Sequence, residues 1–423
     1  MQRFVIAVCS LVLIFAVAVA AEVSRVEPGK PLPRGLSCEE PVPGRSDGRL
    51  YYFVPQSIDF TKPVPLFIFL HGGGDSTPPE FIDSNYLNEK TGGLRPHIDR
   101  ASFLVVAPSA PLPKDPKTPN WARWNQDCAA AQIDALIDAL AARFPIDRDR
   151  IILGGTSMGG FGTLDLGQRI ADRFAGIWIS AGSWSVTDFR TFCGTPIYLQ
   201  HGKYDTAHGY RSGKRARSLY ATGVFYSRGA DRLMRRDGVE HVYDEHEGGH
   251  ALTWEPAQLA TRRFLVWAAK QRRNPYPPKA VLVTACGENV VKNPHSVTRA
   301  RWLEVIDTVP GKIEFDRIHL TGPKYAETLD DYLRQGFRLS RISRPGARIV
   351  AENLGGNRFR VELENVSAFR ILLAPPMGDI TKPFSVDMGK AGTRVLIPEP
   401  LTGNRDYSAV LTVRLLPPPV PAR

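Results

Sequence analysis

Apolar positions along the chain fall into two regimes. Between residues 50 and 270, short unbroken apolar runs alternate with stretches of helical period. Leu66-Phe67-Ile68-Phe69-Leu70 and Phe103-Leu104-Val105-Val106-Ala107 are continuous runs, as expected of strands buried on both faces. Residues 51–54, 151–153, 176–180, 196–200 and, more weakly, 239–245 predict further strands. Ile133, Leu136, Ile137, Leu140 and Ala141 share one helical face, and Pro145 ends that helix. Further helices are predicted over 161–171 and 256–271. This alternation predicts an α/β domain with a mostly parallel sheet and right-handed crossovers.

After Arg272-Arg273-Asn274-Pro275-Tyr276-Pro277-Pro278 the period becomes two. Arg358-Phe359-Arg360-Val361-Glu362-Leu363-Glu364 alternates without a break, and Leu354-Gly355-Gly356-Asn357 before it reads as a turn. Residues 301–309, 313–320, 369–373, 394–397 and 409–415 predict more strands, and 325–335 a short helical insertion. A smaller all-β sandwich is the expected second domain. The chain thus divides into an extended segment over 22–48, an α/β domain over 49–272, a linker over 273–278, a β-sandwich over 279–416 and a Pro-rich tail over 417–423.

The N-terminus changes the picture. Arg3 precedes an apolar run from Phe4 to Ala21, and Ala18-Val19-Ala20 has the small-x-small form of a cleavage site. Residues 1–21 read as a secretory signal peptide, so the protein is expected to be exported to the periplasm or medium. An uncleaved membrane anchor is the alternative. No other stretch is long and apolar enough to span a bilayer, so no stable membrane insertion is expected after leader cleavage. Cys38, Cys128, Cys193 and Cys286 then remain, enough for two disulfides in three connectivities or for buried thiols. Their spacing matches no zinc ribbon.

The net charge is +11, but the excess is spread along the chain: 21 Lys/Arg face 15 Asp/Glu from Pro277 onward. One cluster stands out, comprising Arg211, Lys214, Arg215, Arg217, Arg228, Arg232, Arg235 and Arg236. It reads as a solvated helical face or as a rim that attracts anions. No recognition motif or stacking-aromatic pattern accompanies the charge, so nucleic acid is not an expected partner.

The chemistry concentrates where the run Ile151-Ile152-Leu153 meets Gly155-Thr156-Ser157-Met158-Gly159. Gly-x-Ser-x-Gly between a strand and a helix is the arrangement of a nucleophile elbow. A serine hydroxyl needs a base, a group to orient that base, and donors for the oxyanion. Asp205 lies just past the 196–200 strand, and His250 follows the 239–245 strand. The chain order Ser157, Asp205, His250 is that of α/β-hydrolases. The backbone N–H of Met158 supplies one oxyanion donor. His71-Gly72-Gly73-Gly74, after the 66–70 strand, supplies the second from Gly73 or, as second choice, Gly74. His71 itself reads as structural.

The segments His71-Gly72-Gly73-Gly74, Gly155 to Gly160, His201-Gly202-Lys203-Tyr204-Asp205 and Glu247-Gly248-Gly249-His250 together resemble secreted α/β-hydrolases. These are the enzymes grouped with feruloyl esterases, polyhydroxybutyrate depolymerases and dienelactone hydrolase-like proteins. Phe144-Pro145-Ile146-Asp147 also looks like a segment of that group. The resemblance covers residues 50–270. It implies an α/β-hydrolase fold and ester hydrolysis through an acyl-enzyme, with Ser157 as nucleophile, His250 as base and Asp205 as its partner. The expected substrate is a small-molecule or polymer-linked ester, and no cofactor is needed. One departure is the long stretch from Asp205 to His250, which holds the basic cluster. The C-terminal part is similar to accessory β-sandwich domains appended to exported hydrolases.

Three other readings compete. His246-Glu247-Gly248-Gly249-His250 satisfies H-E-x-x-H, but the zinc mechanism needs both histidines on one helix, and paired glycines make a poor helix. No third ligand is evident, so no metal is expected. Serine peptidases of the prolyl oligopeptidase type are more distant relatives of the same group. A hydrolase fold serving only as a binding scaffold comes from a different functional class. For substrate contacts, Trp184 and Trp124 are the candidates, against a plain packing role.

Overall fold

The computed structural model describes residues 24–26, 31–39, 48–73, 80–112, 124–205, 216–217, 223–285, 297–321, 325–326 and 334–415. Residues 1–21, Cys286 and 417–423 therefore lie outside the described residues. The first half of the chain builds one nine-stranded sheet. Its members are β1 (Ser24–Arg25), β2 (Gly35–Glu39), β3 (Leu50–Val54), β4 (Val64–Leu70), β5 (Leu104–Pro108), β6 (Ile146–Thr156), β7 (Gly176–Ser180) and β8 (Ile197–Gly202). After a two-residue strand β9 (Ala216–Arg217), which stands apart, β10 (His241–His246) completes the sheet. The order is β1-β2-β3-β5-β4-β6-β7-β8-β10. From β5 to β10 every pairing is parallel; β2–β3 and β3–β5 are antiparallel.

The continuous apolar runs have a simple cause: the sheet has a core on each face. Leu66, Ile68, Leu70, Leu153 and Ile177 point to one side. There they meet α3 (Asp127–Arg143), α4 (Met158–Arg169) and α5 (Val224–Arg236) through Ile133, Leu164 and Leu233. Phe67, Phe69, Ile152 and Trp178 point to the other side. There α6 (Glu255–Ala268) covers them, with Phe264 stacked on Trp178 at a ring separation of 4.4 Å. The short α1 (Glu80–Ile82) and α2 (Arg95–Ile98) add Ile82 and Ile98 to that side. Because β6, β7, β8 and β10 run in parallel, their C-terminal ends share one edge. That edge carries the site.

The segment expected to be an extended lead-in contributes β2 to the sheet instead, tied to β3 over five register pairs. The C-terminal part holds two five-stranded sheets. One comprises β11 (Lys279–Val283), β17 (Arg348–Gly355), β18 (Arg358–Glu364), β20 (Phe384–Asp387) and β21 (Thr393–Leu396). The other comprises β12 (Arg299–Ala300), β13 (Leu303–Thr308), β19 (Val366–Leu373), β22 (Glu399–Pro400) and β23 (Ala409–Arg414). Leu282, Ile349 and Phe359 from the first share a core with Leu303, Phe369 and Leu411 from the second.

The strand predicted over 313–320 leaves these sheets. β14 (Lys312–Thr321) pairs with β16 (Gly336–Pro345) in a separate two-stranded ribbon laid across the α/β part. Ile318 enters the core under α5, where a Cβ on Gly229 would lie 2.6 Å from its Cγ2. The Ile318 amide donates to the Ser185 carbonyl at 2.7 Å, and Asp316 accepts from Arg236. In the expected helical insertion, Tyr325–Ala326 forms β15, which pairs with β9.

The Pro-rich linker is not a slack tether. Arg273 is buried and donates to Asp149 on β6 and to Asp406 at 2.8–3.0 Å. Tyr276 and Tyr407 hydroxyls each donate across it, to the carbonyls of Asp406 and Pro275. A second bolt joins Asp188 to Arg348 of β17 at 3.0 Å, with both side chains almost fully buried. Burial alone would raise the Asp188 pKa, but Arg190 and Arg348 hold it below the ordinary carboxylate value. Its stabilising contribution is therefore complete above the ordinary range and is lost as the pH falls through the depressed value. Asp188→Asn should cost about 1–3 kcal/mol, because it removes one of two carboxylates from a buried guanidinium that Glu364 still partners. Urea unfolding at neutral pH would measure the loss, and an unchanged midpoint would refute it.

Candidate active site

Ser157 stands between β6 and α4 with φ 56° and ψ −121°. This left-handed backbone is strained for any residue with a Cβ. The surroundings enforce it. The Ser157 amide donates to the Ser180 carbonyl at 2.9 Å, and the Phe161 amide returns to the Ser157 carbonyl at 3.0 Å. The flanking glycines are needed for close approach: a Cβ on Gly159 would lie 1.9 Å from the Leu70 carbonyl oxygen, and one on Gly155 would lie 2.5 Å from that of Gly159. The side chain of Ser157 is held half-exposed at the end of the sheet.

Asp205 and His250 come together as the sequence order anticipated. The loop after β8 and the loop after β10 are joined by main-chain bonds: Lys203 N–H to the His246 carbonyl at 2.8 Å and Tyr204 N–H to the Gly248 carbonyl at 2.9 Å. Asp205 is buried to 1%, and its Oδ2 accepts from His250 Nδ1 at 2.8 Å. The His250 side chain is 37% exposed, and Nδ1 is the nitrogen turned to Asp205.

Burial is the largest influence on Asp205 and would raise its pKa. The neighbouring His250 and His201 outweigh it, and the carboxyl is held below its ordinary value. For His250, desolvation pulls the pKa down, but the Asp205 charge and hydrogen bond together carry it above the ordinary histidine value. An ionised Asp205 can only accept, which makes Nδ1 of His250 the protonated nitrogen.

The loop after β4 lies against the elbow. A Cβ on Gly72 would be 3.2 Å from Ser157 Cβ. His71 is buried, its Nδ1 lies 2.7 Å from the Gly72 carbonyl oxygen, and its Nε2 accepts from the Ala110 amide at 3.0 Å. The Gly72 amide donates to the Tyr86 hydroxyl at 3.1 Å. That commitment removes Gly72 as an oxyanion donor. Gly73 takes φ 98°, a conformation suited to glycine. Met158 is the first residue of α4, where the amide has no acceptor within the helix. Gly74 lies outside the described residues.

The two tryptophans are packed inside. Trp124 is fully buried, and its indole N–H donates to the His71 carbonyl at 3.1 Å. Trp184 is 3% exposed, packs on Phe161 and donates to the Phe161 carbonyl at 3.3 Å. In this conformation they brace the loop after β4 and the first turn of α4, and neither offers a ring to solvent. His246 ends a strand and His250 sits in a bend, so H-E-x-x-H has no helix to stand on. Of the basic cluster, Arg228 is paired with Glu245, Arg235 with Asp231, and Arg236 with Asp237 and Asp316. Arg211, Lys214 and Arg215 lie outside the described residues.

The sequence profile of the alpha/beta hydrolase family matches residues 67–355, more than half of the chain. The chain belongs to the α/β-hydrolase family. The match crosses the predicted linker and ends in β17. Among solved structures, this α/β-hydrolase is similar to a ferulic acid esterase from Anaeromyces mucronatus in complex with ferulic acid, at 16% identity over 58% of this chain and 93% of that one, with a TM-score of 0.40. It is also similar to an S-formylglutathione hydrolase from Agrobacterium tumefaciens, at 16% identity over 56% of this chain and 94% of that one, with a TM-score of 0.41. A thermostable esterase matches at 20% identity over 53% of this chain, with a TM-score of 0.39, and the match spans 60% of that esterase's length. No curated protein matches the chain.

Two features of this α/β-hydrolase escape sequence reasoning. Tyr86 sits in a short π-helical turn, Asp83–Leu87, with no recognisable motif around it. Burial pushes its phenol up to about 12, against the pull of the Gly72 amide, so it stays a neutral acceptor for that N–H. The other is His201, inside β8. The segment His201-Gly202-Lys203-Tyr204-Asp205 draws attention to Asp205, whereas a histidine at the end of an apolar strand reads as core.

Proposed function

We propose that the protein is a serine hydrolase that cleaves carboxylic esters through an acyl-enzyme. The observation that carries this reading is the 2.8 Å bond from His250 Nδ1 to a buried Asp205, on the same sheet edge as a serine held in elbow geometry. Asp205 fixes the imidazole so that Nε2 takes the hydroxyl proton while Ser157 Oγ attacks the acyl carbonyl carbon. The oxyanion is held by the N–H groups of Met158 and Gly73. As the tetrahedral species collapses, His250 returns the proton to the departing alkoxide and the alcohol leaves. Water, deprotonated by His250, then attacks the acyl-enzyme and releases the acid. The choice of esters rests on the resemblance of the four glycine-rich segments to feruloyl esterases and related enzymes. The apolar leader over residues 1–21 supports an exported enzyme.

A fluorophosphonate probe tests the reading without knowledge of the substrate. Peptide mapping should place the adduct on Ser157, and a panel of aryl, acetyl-sugar, feruloyl and hydroxybutyrate esters should then show turnover. An adduct elsewhere, or none, would overturn the assignment.

A further inference from the structure

Asp205 does not serve His250 alone. The same carboxylate oxygen, Oδ2, lies 3.1 Å from Nε2 of His201, which is completely buried. The carboxylate accepts, so Nε2 of His201 is a donor. The other nitrogen of His201, Nδ1, lies 2.7 Å from the Ser227 hydroxyl on α5, a side chain that is also completely buried. A continuous chain therefore runs from α5 through Ser227 and His201 to Asp205 and out to His250.

We infer that His201 is a positioning residue for the Asp205–His250 pair, locked in orientation by Ser227, and that α5 thereby sets the alignment of the base. The inference rests on the serine-hydrolase reading above. A carboxylate with one N–H donor is free to swing about its Cβ–Cγ bond. Two donors converging on one oxygen, the inner one inside a packed core, remove that freedom. The second donor also draws charge from Oδ2, which limits how strongly Asp205 holds the proton on His250. Among the described residues, the other ionisable groups bearing on this chain are His246 and Glu245 at the end of β10, the latter paired with Arg228 of α5. Burial pushes His246 down to about 4, so His246 stays neutral over the working range.

The readout is the pH dependence of the labelling rate with a fluorophosphonate. His201→Leu should lower that rate about 10- to 100-fold. It should also move the acid limb of the profile to higher pH, because Asp205 regains full charge for His250. His201→Gln keeps an N–H donor and should recover much of both effects. Ser227→Ala removes one buried oxygen with little change of volume. It should shift the limb in the same direction by a smaller amount, and it decides the matter if His201→Leu fails to fold. Rates within twofold of wild type and an unmoved limb in Ser227→Ala, or in a folded His201→Leu, would overturn the role. An inert wild-type protein would instead sink the serine-hydrolase reading. In that case ¹⁵N spectra of the histidines still test this chain, since Nε2 of His201 must carry a proton.

Discussion

Ser157→Ala is expected to lower kcat on an aryl ester by about 10⁶-fold and to abolish fluorophosphonate labelling. The fold should survive. Alanine keeps the Cβ that makes φ 56° costly, so the strain at the elbow is unchanged and only the oxygen is lost. The effect is large because the hydroxyl is the one atom that forms the covalent bond. What remains, on the order of 10³–10⁴ over water, would come from binding and from the oxyanion donors. Steady-state assays of purified wild type and variant, with circular dichroism as a folding control, make the comparison. Turnover in the alanine variant comparable to wild type would remove Ser157 from the mechanism.

The second large effect is expected from Asp205→Asn, about 10⁴-fold in kcat. The amide oxygen can keep the place of Oδ2 and both N–H donors, but it carries no charge, so the imidazolium that forms as Ser157 loses its proton is left without its counter-ion. The pH profile supplies an independent check. His250 must be neutral to act as base, so activity rises with pH through its raised pKa. The Asp205 charge is what opposes the lowering by burial. Without it the pKa falls, and the acid limb of kcat/KM should move to lower pH even as the plateau drops. An unmoved limb would mean that Asp205 does not set the ionisation of His250.

Much of the α/β part is legible in the sequence because two cores demand unbroken apolar runs. The runs at 66–70 and 176–180 read as strands, and in the structure each sends side chains into both cores. The elbow is legible for a related reason. Only glycine fits at 159, 1.9 Å from a carbonyl once a Cβ is added, so the steric demand is written into the residue type. The harder parts have opposite causes. The first residues of β6, Asp147 to Arg150, are charged and half-buried, and they carry the ion pairs to Arg272 and Arg273 rather than core contacts. β16 shows no apolar run, because much of its length faces water. The Pro-rich junction reads in the sequence only as an interdomain linker; Arg273 and its two carboxylates, which tie it to both flanking parts, have no pattern of their own. Trp124 and Trp184 have the composition of a binding wall, yet their N–H groups are held by nearby carbonyls. His201 is invisible because its partners, Ser227 and Asp205, are 26 residues downstream and four downstream, with no shared pattern.

Ile318 shares a core with Leu164 and Leu233, although it belongs to a ribbon that comes after the α/β sheet is complete. Among the described residues, the three atoms nearest to a Cβ on Gly229 all belong to Ile318. A chain that lacked its last third would leave the apolar flank of α5 uncovered beside Ser227. Packing alone thus ties the ribbon to the α/β part, whether or not the ribbon ever meets an ester.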